Sequence, residues 1–117
     1  GLVFQPIAWC IGAPAADIPQ IGRLLGTSVI ATEFVAYADL RTMMADGTIS
    51  PRGVTVVTYA LCGFANIPSM AIQIGGLGAI APSRRADFSS LAPRAMLAGA
   101  LACWSTAAIA SAIVGTG

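Results

Sequence analysis

The segment Gly63-Phe64-Ala65-Asn66-Ile67-Pro68-Ser69 interrupts an uncharged stretch that runs from Gly53 to Ser83. By length, the whole stretch could cross a bilayer as a helix, which needs about 20 apolar residues. Pro68 cannot donate the hydrogen bond that continues a helix, and its ring crowds the preceding turn. The sequence therefore predicts two half-helices, one ending at about Cys62 and one beginning at about Met70, with exposed backbone between them.

Polar side chains at this break predict a binding site. Hydrocarbon does not tolerate unpaired backbone groups, so the break must be buried by protein or must line a watery cavity. A broken membrane helix is typical of a transporter's binding site, and Asn66 and Ser69 offer an amide and a hydroxyl there. Either side chain could instead cap the second half-helix. Phe64 could be ordinary packing, or it could stack on a flat ligand.

The composition is typical of a membrane protein. Of the 117 residues, 56% are hydrophobic and 9% are charged, and the net charge is +1, whereas a soluble domain has about 25% charged residues. The Arg residues are scattered, so we expect no nucleic-acid partner. His is absent and Cys10, Cys62 and Cys103 are far apart, so we expect no metal site and no cofactor. No signal peptide is visible, and we expect the chain to be the C-terminal part of a longer protein.

A pair of short helices precedes the broken helix. The pattern predicts one from Asp17, acting as its cap, to about Thr27, and a second from about Glu33 to Ala45. Neither reaches across roughly 30 Å of hydrocarbon at 1.5 Å per residue. Residues 16–46 are therefore predicted to form a re-entrant hairpin, with its tip within residues 28–33.

The remaining segments complete an all-α membrane protein. Residues 1–13 are apolar but too short to span, which predicts an interfacial helix. Residues 51–81 form the discontinuous transmembrane helix, whose glycines Gly75, Gly76 and Gly78 predict close helix–helix approach rather than a phosphate-binding loop. The doubly basic loop at 81–87 indicates the cytoplasmic side. Residues 88–115, helical by about Leu91, are predicted to form the last transmembrane helix, in an uncharged run that continues to Gly117.

Glu33 is the most informative single residue, because it lies in the apolar sequence of the hairpin tip. An ionisable group at membrane depth is costly and indicates function. Alternatively, its carboxylate stabilises the second half-helix through the helix dipole, and the two roles are compatible. A ligand hydroxyl or a coupling cation could be its partner. The aromatic residues Tyr37, Tyr59, Trp9 and Trp104 are expected to be packing residues or interface anchors.

Two motifs resemble the concentrative nucleoside transporter family. One is Thr32-Glu33-Phe34-Val35-Ala36-Tyr37, where the family typically has Asn-Glu-Phe-Val-Ala-Tyr. The other is Tyr59-Ala60-Leu61-Cys62-Gly63-Phe64-Ala65-Asn66, followed by Ile67-Pro68-Ser69 where the family often has an aromatic or aliphatic residue and two serines. Phe4 to Trp9 and Ile74 to Gly78 look like its continuation on either side, so the resemblance covers essentially the whole chain.

The resemblance implies the C-terminal half of a transport domain. The expected activity is nucleoside uptake across the cytoplasmic (inner) membrane by alternating access, coupled to sodium or protons, in a multi-pass protein that forms a homotrimer at full length. In the family, the hairpin glutamate and the Asn and Ser of the broken helix hold the ribose hydroxyls. Those roles would fall on Glu33, Asn66 and Ser69, with Phe64 close by, and the ligands of the coupling ion would lie outside this segment.

The chain departs from the family pattern at two positions. Thr32 replaces the usual Asn at the hairpin tip, and Pro68 replaces a Ser at the break, so ligand preference is left open. A membrane structural or assembly module, in which the break serves packing alone, is the alternative interpretation. An enzyme is not expected, because the sequence offers no paired acids, no His and no activated nucleophile, and hence no catalytic residue.

Overall fold

The computed structural model describes residues 1–115, and no strand occurs among them. The predicted all-α fold is confirmed. Short 3-10 turns at Leu2–Phe4, Ala15–Asp17 and Pro82–Arg84 precede α1, α2 and α6. The α-helices within residues 1–115 are α1 (Gln5–Cys10), α2 (Ile18–Ile30), α3 (Glu33–Ala45), α4 (Pro51–Ala60), α5 (Ile67–Ile80) and α6 (Arg85–Val114).

Helices α2 and α3 form the hairpin, and only Ala31 and Thr32 lie between them, at its tip. Thr32 is in the extended conformation and its Oγ1 accepts a hydrogen bond from the Val35 N–H at 3.4 Å, which caps α3. Helix α3 has the predicted bounds. Helix α2 continues three residues beyond the predicted end at Thr27, because Ser28 donates its hydroxyl to the Leu25 carbonyl at 2.9 Å and so fits within a helix.

Asp17 does not cap α2, so that prediction is wrong. Its buried carboxylate instead accepts hydrogen bonds from the Ser50 N–H at 3.2 Å and from the Ser50 hydroxyl. Ser50 is the cap of α4, since its Oγ accepts from the Gly53 N–H at 3.0 Å. Asp17 therefore joins the first turns of α2 and α4. A Cβ at Gly53 would collide with this carboxylate, so the contact requires glycine there.

The core lies where the hairpin packs on α4. Apolar residues of α2 recur at helical spacing and face the core, as expected of a helix with one buried side. Helix α1 covers α2, and Gly22 permits this approach because a Cβ there would lie 2.9 Å from the Gln5 side chain. The largest fully buried apolar side chains are Ile21, Leu24, Leu25, Val56, Val57 and Leu61.

The break between α4 and α5 is confirmed, and it is shifted in sequence. Helix α4 ends at Ala60 rather than at Cys62, and α5 begins at Ile67 rather than at Met70. The earlier start has a simple cause: Pro68 falls in the first turn of α5, where a missing N–H costs no helical hydrogen bond. Proline therefore begins the second half-helix instead of preceding it.

Helix α6 begins at Arg85, three residues before the predicted segment 88–115, so the doubly basic segment is not an open loop. An ion pair of 2.5 Å between the Arg84 Nε and the Asp87 Oδ2 stabilises this turn. Pro93 lies within the helix. Within the described residues, only the helical stretch 82–114 is long and apolar enough to cross a membrane. The end of the uncharged run, at residues 116–117, lies outside the described part.

The predicted close approach at Gly75 and Gly76 is wrong for the described residues. A Cβ on either would meet nothing within 4 Å, and one on Gly78 would meet the Arg85 side chain at 3.2 Å. The reason is orientation: α5 turns Gln73, Ile74 and Leu77 towards α6. The predicted approach to α6 is therefore found at Gly78 alone, and a further one is at the break, where a Cβ on Gly63 would strike the Cys103 thiol of α6.

The Asp17–Ser50 contact predicts a stability effect in the full-length protein that contains this segment. We expect Asp17→Ala to lower the free energy of unfolding by about 2 kcal/mol, because hydrogen bonds to a charged acceptor contribute roughly that much. Asp46→Ala is the matched control, since Asp46 is exposed at the end of α3. Thermal unfolding in detergent measures both variants, and equal melting temperatures would contradict the role given to Asp17.

Candidate functional site

The hairpin tip and the helix break meet through one side-chain pair. Glu33, the first residue of α3, is 8% exposed, and Asn66, in the break, is 1% exposed. The Asn66 Nδ2 donates a hydrogen bond to the Glu33 Oε2 at 2.5 Å. The structure thus brings together two of the predicted site residues, which lie 33 positions apart in the sequence.

Asn66 also caps α5, so the capping alternative is confirmed for this residue. Its Oδ1 accepts a hydrogen bond from the Ser69 N–H at 2.7 Å. Because a backbone N–H can only donate, the amide oxygen must face Ser69, and the amide nitrogen then faces the Glu33 carboxylate. Local capping therefore decides which group Asn66 presents to Glu33.

The Glu33 carboxylate is only half satisfied. Its Oε1 is buried and has no hydrogen-bond partner within residues 1–115, and no ion pair forms with Glu33 in that range. A buried acceptor without a partner costs about 1–3 kcal/mol, and more when it is charged. The site is therefore chemically prepared to accept a hydrogen bond from a donor that this segment does not contain.

The other two predicted site residues lie nearby in different roles. Ser69 is half-buried in the first turn of α5; its backbone N–H is the group that Asn66 caps, and its hydroxyl makes no hydrogen bond within the described residues. Phe64 is 78% exposed in the break. It lines, with Asn66 and Gln73, a cavity of about 380 Å³ between the break and α6 that Glu33 does not line.

Tyr37 is a residue of this region for which the sequence predicted only packing or anchoring at the membrane interface. Its hydroxyl donates a hydrogen bond to the Thr58 carbonyl at 2.9 Å, which connects α3 to the last turn of α4. Tyr37 follows Glu33 by four residues, so both lie on the same side of α3. The sequence spacing could have predicted that Tyr37 lies beside Glu33, but it could not have predicted that the Tyr37 hydroxyl bonds the Thr58 carbonyl.

The arrangement is suited to binding hydroxyl groups. Within residues 1–115, no group of three or more His, Cys, Asp or Glu side chains lies close enough to hold an ion. A carboxylate oxygen accepts a hydrogen bond, an amide nitrogen donates one, and a serine hydroxyl does either. A sugar diol offers matching donors and acceptors.

Comparisons with known proteins agree along the whole chain. The family model described as the C-terminus of Na+ dependent nucleoside transporters matches residues 1–111. The uncharacterized transporter YutK of Bacillus subtilis is 44% identical over 97% of this chain, and human solute carrier family 28 member 3 is 40% identical over 97%. The aligned part is 28% of YutK and 18% of the human protein, so the chain spans less than a third of each.

The structure is similar to a solved transporter, CNTnw, in more than one state. The inward-facing substrate-bound form gives a TM-score of 0.91 and 38% identity, covering 97% of this chain and 28% of that one. An outward-facing form of a CNTnw variant also gives 0.91, at 36% identity, with 100% and 28% covered. The all-helical arrangement described above is therefore that of a known transporter segment.

The double role of Asn66 gives a stability prediction. We expect Asn66→Ala to destabilise the full-length protein, because it removes both the cap and the Glu33 partner. Asn66→Ser keeps a capping oxygen, so it should recover about 1 kcal/mol of that loss and no more. Melting temperatures in detergent measure the series. A Ser variant as stable as the parent would show that the contact with Glu33 contributes nothing.

Proposed function

The chain belongs to the family of concentrative, Na+ dependent nucleoside transporters, and from this membership we propose that it is part of the transport domain of a protein that takes up nucleosides. The match over residues 1–111 and the 36–44% identities to the relatives described above support the assignment. In this proposal the full-length protein works by alternating access in the cytoplasmic membrane. This segment supplies the half of the site that holds the ribose.

One observation carries the proposal: a buried carboxylate with one oxygen held by Asn66 and the other without a partner. A ribose hydroxyl can donate to the Glu33 Oε1, which has no other partner within residues 1–115. The second N–H of the Asn66 amide and the Ser69 hydroxyl are available for the neighbouring sugar oxygen. The sugar diol would complete the hydrogen bonds that the protein leaves unmade.

Phe64 is proposed to lie beside the nucleoside base. Its ring is 78% exposed at the break, two residues before Asn66. An aromatic face near a bound sugar offers a stacking surface for a flat heterocycle, and such contacts contribute about 0.5–1.5 kcal/mol beyond the buried area. Two further sets of residues are proposed to lie outside this segment. One set hydrogen-bonds the edge of the base, and the other binds the sodium ion or proton that drives uptake.

The membrane placement rests on the exposed apolar surface of α5 and α6. Ile72 and Ile80 of α5 and Ile109 and Ile113 of α6 are each more than 60% exposed, in segments with almost no charge. Lipid and the helices of the rest of the protein are the surroundings that suit such surfaces. The short helices α2 and α3, about 20 Å each at 1.5 Å per residue, fit a re-entrant hairpin. A homotrimer of multi-pass subunits is proposed for the full-length protein.

The Glu33 contacts also bear on the alternative of a purely structural module. A break that served packing alone would need the Asn66 cap, which satisfies the N–H groups at the start of α5. It would not need a buried carboxylate with an unpaired oxygen, because that group destabilises the fold. The unpaired oxygen therefore favours ligand binding.

Uptake by the full-length protein tests the proposal directly. We expect Glu33→Ala to lower kcat/KM for uridine or adenosine by about 100-fold, because it removes the acceptor of at least one charged hydrogen bond and unpairs Asn66. Asp46→Ala serves as the control acid and should transport normally. If Glu33→Ala takes up either nucleoside at close to the parental rate, the assignment is wrong.

The choice of ligand gives an independent test. A 2′,3′-dideoxynucleoside leaves the Glu33 Oε1 unpaired in a closed site, so we expect it to compete for uptake at least about 100-fold less well than the matching ribonucleoside. Competition against radiolabelled uridine measures the ratio. Equal competition by the two ligands would show that this site does not bind the sugar hydroxyls.

A further inference from the structure

Helix α3 touches both halves of the broken helix. At its first residue, Glu33 accepts from Asn66, which caps α5. One turn later, Tyr37 donates its hydroxyl to the Thr58 carbonyl of α4 at 2.9 Å. Residues four apart on a helix lie on the same side, about 6 Å from each other. One side of α3 therefore bridges the break.

The Thr58 carbonyl is free to accept this hydrogen bond because the helix is broken. In a continued helix the Cys62 N–H would donate to it, but here the Cys62 N–H donates to the Tyr59 carbonyl at 3.5 Å. The Leu61 N–H donates to the Val57 carbonyl at 2.9 Å, so it is not available either. Among the described residues, the Thr58 carbonyl accepts a hydrogen bond from the Tyr37 hydroxyl, which lies on a different helix.

We propose that Tyr37 is a positioning residue of the ribose site: its hydrogen bond to the Thr58 carbonyl fixes α3 against α4 and so sets the angle at which Glu33 meets Asn66. The inference rests on the function proposed above. Tyr37 does not touch the ligand in this account. It acts only through the position of the Glu33 carboxylate.

The physical reason is that a single contact is a pivot. Ala36 and Leu40 pack α3 into the core, but with Glu33–Asn66 as the single polar contact of its first turn, a small rotation about that bond changes where the Glu33 Oε1 points. A second bond one turn away removes this rotation. Because hydrogen bonds weaken steeply when their angle departs from linear, a small rotation would reduce the strength with which Glu33 accepts a ligand hydroxyl.

The test compares the two tyrosines of the chain in the full-length protein. Tyr37→Phe removes only the hydroxyl, and Tyr59→Phe is the matched control because the Tyr59 hydroxyl makes no hydrogen bond within residues 1–115. We measure KM and kcat for uptake of uridine and of 2′,3′-dideoxyuridine. Tyr37→Phe should raise the KM of uridine about fivefold, as expected for one lost hydrogen bond, and change that of dideoxyuridine less than twofold. Tyr59→Phe should change neither.

Two outcomes would overturn the inference. One is a Tyr37→Phe variant whose KM rises equally for uridine and dideoxyuridine, which would indicate a general effect on folding. Melting temperatures of both variants are therefore measured with the kinetics. The other is a Tyr37→Phe variant that behaves like Tyr59→Phe. In a Glu33→Gln background, adding Tyr37→Phe should leave the ratio of the KM for dideoxyuridine to the KM for uridine unchanged, because the carboxylate that Tyr37 positions has already been replaced. A further change in this ratio would also contradict the inference.

The Glu33→Gln variant separates this inference from the proposed function. If it retains the parental preference for uridine over dideoxyuridine, the ribose site itself is wrongly assigned. If Glu33→Gln loses the preference and Tyr37→Phe keeps it, the site stands and only the role of Tyr37 is removed.

Discussion

The structure depends on one amide side chain that satisfies two requirements of a broken helix. Asn66 accepts from the Ser69 N–H with its oxygen and donates to Glu33 with its nitrogen. The first contact satisfies a backbone group that the break exposes. The second stabilises a carboxylate that would otherwise have no partner within the described residues. Neither contact can be lost without leaving a buried polar group unpaired, which is the most expensive defect available in an apolar environment.

Long-range polar contacts also hold the opposite ends of the helices. Asp17 joins the starts of α2 and α4, and the Arg52 Nη2 donates to the Ser111 hydroxyl of α6 at 3.3 Å. Ser111 in turn donates to the Gly12 carbonyl at 3.0 Å. These hydrogen bonds connect α2, α4 and α6 at the end of the bundle away from the break, although the Gln20 Oε1 and the Arg52 Nε there are, like the Glu33 Oε1 at the break, buried without a partner within residues 1–115.

The site within this segment is incomplete, because some of its polar and apolar groups have no partner here. Phe64 and the apolar residues of α5 and α6 are exposed, and the Glu33 Oε1 has no donor within residues 1–115. The chain spans only 28% of the solved transporter that it resembles. The remaining groups around the site are thus expected from the rest of the protein and from the ligand.

The sequence by itself determined the features that have local causes. Proline chemistry predicted the break, and the local pattern predicted the bounds of α3, from Glu33 to Ala45. The pairing of Glu33 with Asn66 followed from a family resemblance rather than from spacing. Only the tertiary structure decided that Asp17 joins Ser50 rather than capping α2, that Gly75 and Gly76 face away from α6, and that Tyr37 meets Thr58. These contacts join groups 21 to 33 residues apart, or depend on how a helix is turned, and no local pattern encodes either.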